Sequence, residues 1–376
     1  MKGVSRIVHI ALGHNPTDDR IFFKEARSLV KMGYQVTIVA PDREQVTEKD
    51  GVRFVRYKET NYWRNLLSAY RAARELRADI YHLHEFELIP FGIWLKYKYR
   101  RKVIYDAHET IFWYFIDFSK RSLLIKLPLA IIAQMLEWLG AGFLDWVIAV
   151  TPRVAEGFKF FQKRITLIYN YPLTDVFNLS RNTNTERPII LFHGQIVPGR
   201  NIELMIKAMA HVNPQVPNAR LVIVGHISDW YRQQLESLVT KLNPRNAVEF
   251  QPAIRHEQVP MLISTASIGL SSMMPNESYK RSIQVKPFEF MAMGIPVLGC
   301  RVPSIETYVE KTGAGIIIDP LTPANLGTQI CNLLSNPTLR LKLGQQGRLV
   351  VQTQFNWSKM EPVLAQIYKE LNRFRS

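Results

Sequence analysis

At 376 residues the chain is too long for one ordinary hydrophobic core, so two domains are expected, and 47% apolar with 21% charged residues excludes a disordered chain. Lys and Arg outnumber Asp and Glu by 48 to 32, a formal charge of +16. That excess calls for an anionic partner, whether a phosphate-bearing substrate, acidic lipid headgroups or nucleic acid, unless it serves solubility alone.

The two cysteines, Cys300 and Cys331, are too few for a disulfide framework or a zinc spacing, and a reducing, cytoplasmic compartment is expected. The N-terminal apolar run is too short for a signal peptide. No run of 18 uncharged apolar residues occurs, so no spanning helix is expected. The nearest approach is LPLAIIAQML, residues 127–136, closed by Lys126 and Glu137.

In chain order, RIVHIAL reads as a buried strand and DDRIFFKEARSLVKMG as a helix, capped by Asp18 and stopped at Gly33. YQVTIVAP and VRFVRY are strands, followed by a helix over Trp63 to Arg77. DIYHLH, KVIYDAHE, DWVIAV and ITLIYN complete the first half. Residues 170–188 are polar, carry two prolines and lack any period, and read as a linker. The alternation then restarts with IILFHG, ARLVIVG, AVEFQP, ASIGLSS, IPVLGC and AGIIIDP. A last helix from about Asn356 to Phe374 is placed to cross back to the first sheet. Short strands alternating with helices predict parallel sheets covered on both faces. The expected architecture is α/β, with two doubly wound, Rossmann-like domains facing a cleft, residues 1–170 with helix 356–376 and residues 188–355. Ligands of such sheets sit at the carboxyl ends of strands.

Within KRSIQVKPFEFMAMGIPVLGC, residues 280–300, Glu289 is an acid in an apolar run. Pro287 suits a first helical turn, Gly294 a stop, and Pro296 forbids continuation, so a helix over Pro287 to Met293 is predicted. A capping box would need a short polar residue at 286, where Lys286 stands. Two readings remain: a carboxylate favoured by the helix dipole on a solvated face, or one accepting from a vicinal diol such as that of a ribose.

KPFEFMAMGIPVLGCRVPSIETYVEKTGAGIIIDP resembles the C-terminal signature of GT-B glycosyltransferases of family 4. DDRIFFKEARSLVKMGYQVTIVAP, ADIYHLHEFELIPFG and VIYDAHE resemble the family's N-terminal half, so the likeness covers most of the chain. It implies a GT-B fold and a sugar transferred from a nucleotide diphosphate donor, UDP- or GDP-linked. It also implies that Glu289 grips the donor ribose. Gly194 and Arg200, in LFHGQIVPGRNIE, and Lys286 are implied at the diphosphate, where the cations would neutralise charge on the departing group. Gly225 and His226 are expected near the nucleotide, and Ile254 near the base. His108 is implied to approach the donor sugar. His14 and His84 stand at further strand ends, with Glu109 as a candidate for acid–base work on the acceptor side and Asp106 beside it. Gly13 is expected to let a loop approach the diphosphate or acceptor. No G-x-G-x-x-G accompanies it, which disfavours a dinucleotide.

One departure is clear. Many members carry Glu-x7-Glu, but here the position eight before Glu289 is Arg281, and Glu277 is out of register. The chain therefore resembles the subgroup lacking the first Glu. A retaining outcome is implied by the family, not read from residues. No metal is expected, since no Asp-x-Asp stands at a suitable strand end.

Residues 109–146 mix Phe112, Trp113, Phe115 and Phe118 with Lys120, Arg121 and Lys126 beside the apolar helix. That composition suits either an interfacial segment serving a lipid-linked acceptor at an anionic membrane, or a core helix. KYKYRRK, residues 96–102, matches no nucleic-acid motif and lies where a solvated turn is expected; it reads as a membrane-facing or merely solvated patch, and no nucleic acid is expected. The resemblance implies a cytoplasmic, peripheral glycosyltransferase of cell-surface polysaccharide or glycolipid synthesis. The alternatives are a nucleotide-sugar epimerase on the same fold or a non-catalytic basic binding module.

Overall fold

The computed structural model describes residues 5–178, 187–242 and 247–373. The chain divides into two compact units, Met1–Asn170 with Trp357–Ser376, and Tyr171–Asn356. Residues 179–186 of the expected linker lie outside the described residues. Its earlier part is not solvated: Tyr171, Leu173 and Phe177 are buried in the second unit, and Tyr171 meets Phe288 edge-on. Aromatic anchors hidden among polar residues explain why no period was visible.

Among the described residues the first unit is built on β1 (Arg6–Ile10), β2 (Gln35–Pro41), β3 (Glu48–Lys49), β4 (Val52–Tyr57), β5 (Ile80–Leu83), β6 (Lys102–Ala107), β7 (Trp146–Ala149) and β8 (Ile165–Leu167). Their order is β3-β4-β2-β1-β5-β6-β7-β8. All pairings are parallel except β3 with β4, a two-residue edge that no alternation could reveal. Runs of Val, Ile and Leu buried on both faces form these strands because helices cover each side.

The helix after β1 is unusual. Asp18 caps it, its side chain accepting from the N–H groups of Arg20 and Ile21. Phe22 N–H and Phe23 N–H both donate to the Asp18 carbonyl, at 3.0 and 3.2 Å, so Asp19–Ala26 is wound as a π-helix. Such wide turns concentrate at functional sites. This one carries Arg20, Lys24 and Glu25 into the interior. The helix ends at Gly33, whose φ of +89° suits a residue without Cβ.

The terminal helix Glu361–Arg373 returns to the first unit. Trp357 donates to Ser28 Oγ at 2.9 Å, and Tyr368 lies 2.8 Å from His82 Nδ1. The basic stretch 96–102 is largely tied down. Lys96 and Lys102 reach Asp145 at 3.4 and 3.6 Å, Arg101 reaches Asp79 at 3.6 Å, and Lys98 lies over Trp94.

The second unit carries β9 (Ile189–His193), β10 (Arg220–Val224), β11 (Val248–Gln251), β12 (Ile268–Ser271), β13 (Val297–Cys300) and β14 (Gly315–Ile318), ordered β11-β10-β9-β12-β13-β14 and all parallel. Its core is Ile, Leu, Met and Val from these strands and from helices Ile202–Val212 and Pro323–Ser335. Cys300 and Cys331 are free thiols, both buried. In both units the order reverses beside the first strand, β1 or β9, and each reversal leaves a crevice at carboxyl ends where functional groups can gather.

One expectation is corrected. The helix closed in sequence by Lys126 and Glu137 runs through both, from Leu123 to Gly142. By length and composition it could cross a membrane, with a mean hydropathy of 1.6. The two charges do not end it because each has a partner. Lys126 donates to the Ile116 carbonyl, and the Glu137 carboxyl accepts from Tyr105 at 2.7 Å.

Candidate active site

In the second unit the candidate site residues gather where β9 and β10 end. Gly194 follows β9 with φ of +119°, a region closed to other residues except at a strain cost. Its N–H donates to the Val224 carbonyl at 2.9 Å. The two strand ends abut so closely that a Cβ on Gly225 would lie 1.7 Å from the Gly194 carbonyl oxygen. A Cβ on Gly194 would lie 2.0 Å from Cε of Lys286 and 2.7 Å from its Nζ. The lysine is therefore laid across bare backbone.

The predicted short helix is present as Lys286–Ala292, with Pro287 in its first turn and Gly294, at φ of +70°, after its end. Glu289 is 7% exposed, so the solvated-face reading is excluded. Its Oε2 lies 3.3 Å from Nε2 of His193, the last residue of β9. Burial, with Lys286 and His256 adding to it, lowers His193 to about 3, which keeps the imidazole neutral. His193 was missed from sequence because a histidine inside an apolar strand looks like filler. Its position immediately before a strand-ending glycine was the available signal.

Arg200 is held differently. Its guanidinium lies 4.9 Å from the centroid of Tyr279, and its Nε is buried without a hydrogen bond. Aromatic stacking of this kind leaves the guanidinium edges available to an anion. His226 and Ile254 are both exposed, on the loops after β10 and β11. Arg281, at the position of the missing first Glu, pairs with Glu277 at 3.3 Å. The structure thus gathers Gly194, Gly225, Lys286, Glu289 and His193.

In the first unit, Gly13, His14, His84, His108 and Glu109 all line one pocket of about 510 Å³, a size that suits a small ligand. Ile111, Tyr114 and Phe115 form its apolar wall. The Gly13 N–H is already engaged: with that of Leu12 it donates to the Glu85 carboxylate, at 2.8 and 2.7 Å. That bond leaves the Gly13 N–H committed to Glu85 and not offered to a phosphate.

Behind the pocket lies a buried polar stripe. His9 on β1 pairs in register with His82 on β5, and His84 follows two residues on, facing the same way. His9 Nδ1 and His84 Nε2 are 3.0 Å apart, and His84 Nδ1 and His108 Nε2 3.3 Å. Asp106 Oδ2 lies 3.0 Å from His108 Nε2. Arg20 grips Asp106 with two bonds, at 2.7 and 2.9 Å, and its Nε is also 3.1 Å from Glu25. This fork–fork geometry fixes the carboxylate plane.

The environments separate the titrations. Burial, outweighing the neighbouring Asp106, lowers His84 to about 4. Burial works against a charged His14, but the Asp18 carboxylate 3.0 Å away raises it to about 9. Burial pushes the Glu109 carboxyl up to about 7, and His14 only partly offsets this. A cation and a proton-bearing acid thus share one pocket wall near neutral pH. Arg20, Glu25, His9 and His82 were not singled out from sequence, since a charged helix face and mid-strand histidines carry no local signature. Among the described residues two groups have ligand atoms close enough to hold a metal ion: His9, Glu25, His82 and His84, and His84, Asp106 and His108.

Comparison with known proteins falls on both halves. Residues 177–350 match the family described as glycosyl transferases group 1, and residues 20–171 match that described as glycosyltransferase family 4. An uncharacterized glycosyltransferase of Methanocaldococcus jannaschii is 24% identical over 92% of this chain and 92% of its own length. An alpha-D-kanosaminyltransferase of Streptomyces kanamyceticus is 25% identical over 50% of this chain; the chain spans 46% of that relative. Sucrose-phosphate synthase from Thermosynechococcus elongatus superposes with a TM-score of 0.76 at 18% identity, covering 98% of this chain and 99% of the other. Anabaena HepE, solved with UDP-glucose, superposes with a TM-score of 0.75 at 14% identity, covering 97% and 100%. At such identities the structural likeness establishes the fold alone.

Proposed function

Because the chain belongs to the glycosyltransferases of family 4, with the GT-B fold, we propose that it moves a hexose from a UDP- or GDP-linked donor to a glycan or lipid-linked acceptor. The observation that carries this reading is the Lys286 ammonium lying over the bare backbone of Gly194, one helical turn from buried Glu289. An anion reaching that backbone meets a cation, and a diol reaching Glu289 meets an acceptor whose neighbouring imidazole is neutral.

In this reading Glu289 accepts from the ribose hydroxyls. Lys286 and Arg200 neutralise the diphosphate as its bond to the sugar breaks. Gly225, His226 and Ile254 border the nucleoside. His108 meets the transferred sugar, and the pocket with His14, His84 and Glu109 takes the acceptor. The outcome is retention: the leaving phosphate oxygen takes the acceptor proton on the same face, and the protein positions both partners. Two cations suffice for the departing charge, so no metal is proposed for the transfer itself. HepE, of the same fold, was solved with UDP-glucose, which supports a nucleotide-sugar donor without choosing its base.

The acceptor side is proposed to work at an anionic membrane on the cytoplasmic face, in surface polysaccharide or glycolipid assembly. What supports this is the apolar pocket wall, Ile111, Tyr114 and Phe115, which belongs to the same segment as the exposed helix 123–142. The test is a thermal-shift screen of the full chain with UDP, GDP, ADP and their sugars. One nucleotide at 100 times its Kd raises native stability by about 2.7 kcal/mol. Glu289→Gln is expected to weaken that nucleotide by about 10- to 100-fold, the worth of a charge-assisted hydrogen bond. No shift with any nucleotide would overturn the reading.

A further inference from the structure

We propose that His84 Nδ1, His108 Nε2 and Asp106 Oδ2 form a binding site for one divalent transition-metal ion, with zinc as the best fit, in the floor of the first unit's pocket.

The fold brings these atoms together without any sequence spacing that announces it. β5 and β6 are parallel neighbours, with His82 opposite Ile104. Two steps on, His84 stands beside Asp106, and His108 follows on the same face. The three ligand atoms make a triangle with edges of 3.3, 3.0 and 3.5 Å. Zinc held at about 2.0–2.2 Å by tetrahedral nitrogen and oxygen ligands separates them by about 3.3–3.5 Å. Little movement is needed to admit the ion.

The surroundings are those of a metal site. His84 has its other ring nitrogen 3.0 Å from His9 Nδ1. Asp106 is held by Arg20. Outer partners of this kind orient the ligands of bound metals. Arg20 leaves the second lone pair of Oδ2 available. His84 and His108 both line the pocket, so an ion has a way in and a fourth position opens toward the pocket. The deeper group, His9, Glu25, His82 and His84, has no such entry, and Tyr368 already engages His82 Nδ1.

This departs from the expectation of no metal, which rested on the absence of Asp-x-Asp at a suitable strand end. An ion here occupies Nε2 of His108. If His108 meets the transferred sugar, as the proposed function has it, zinc slows transfer and a chelator restores it. Binding itself is read without activity, so the two ideas fail separately.

The full chain, stripped with EDTA, is titrated with Co²⁺ as spectroscopic probe and then with Zn²⁺. A saturable, stoichiometric visible absorption of tetrahedral cobalt, displaced by zinc, is expected. It should weaken more than about 100-fold in His108→Ala and persist in His14→Ala. X-ray absorption of the zinc-loaded wild type should show two imidazoles and one carboxylate, and it decides the matter if His108→Ala fails to fold. Absence of a saturable signal, binding that survives in a folded His108→Ala, or an all-oxygen shell would each overturn the site and leave the three groups as a hydrogen-bonded triad only.

Discussion

At the scale of single residues, position 194 joins backbone to chemistry. With φ of +119°, alanine there is strained by about 1–3 kcal/mol. Its Cβ would also displace the Lys286 side chain, whose Cε would stand only 2.0 Å away. Gly194→Ala is therefore expected to lower the melting temperature and to weaken nucleotide binding together, read by calorimetry and titration. A variant that melts lower but binds as wild type would show that Lys286 does not serve the diphosphate. His14 makes a second residue-scale prediction. Its folded value, about 9, is raised above the ordinary imidazole. The stabilisation from the His14–Asp18 pair is then fully present below the unfolded value and disappears as pH rises through about 9. The stability difference between wild type and His14→Gln should shrink over that interval in urea titrations. A difference independent of pH would mean the pair carries no charge.

Elements show which parts of the chain could be read in advance and which could not. Strands with buried Val and Ile runs, and helices closed by Gly33 or Gly294, declared themselves because local chemistry and tertiary place agree. Glu289 stood out for the opposite reason, an acid where none was locally needed. What stayed hidden depends on juxtaposition. His193 meets Glu289 across 96 positions of chain, and Arg20 meets Asp106 across 86. The helix Leu123–Gly142 is a third case. Its inward face is Ala130, Gln134, Glu137 and Ala141, while Leu124 is 89% exposed and Leu136 62%. A core helix would have these faces reversed. Glu137 and Gln134 bond inward, to Tyr105 and to the Phe112 N–H, so the helix is docked along the unit with its apolar side outward. Lys120 and Arg121 precede it, a pattern suited to lying on an anionic bilayer. Co-sedimentation with anionic vesicles is expected, weakened by Leu124→Ser with Leu136→Ser and by high salt. Equal recovery of wild type and variant with the vesicles would remove the membrane from the proposed function.

At the scale of the whole molecule, the first unit depends on a segment that follows the second unit and packs back into the first. Trp357, Leu364, Ile367, Tyr368 and Leu371 are each 1% exposed or less, and they belong to the first unit although the second separates them from it in sequence. Removing one large buried aliphatic costs about 2–5 kcal/mol. Losing all of them exceeds the roughly 5–15 kcal/mol that holds an ordinary domain together. Their loss also strips Tyr368 from His82 and Trp357 from Ser28, which exposes the histidine stripe behind the pocket. A chain ending at Asn356 is therefore expected to lose the first unit's cooperative unfolding transition, while Leu364→Ala alone lowers its melting temperature and keeps it cooperative. Since the second unit ends at Asn356, the truncated chain should still bind nucleotide there. Calorimetry with and without the nucleotide found in the screen separates these effects. If truncation left the first unit's transition unchanged, the terminal helix would be an ornament on that unit, not part of its core.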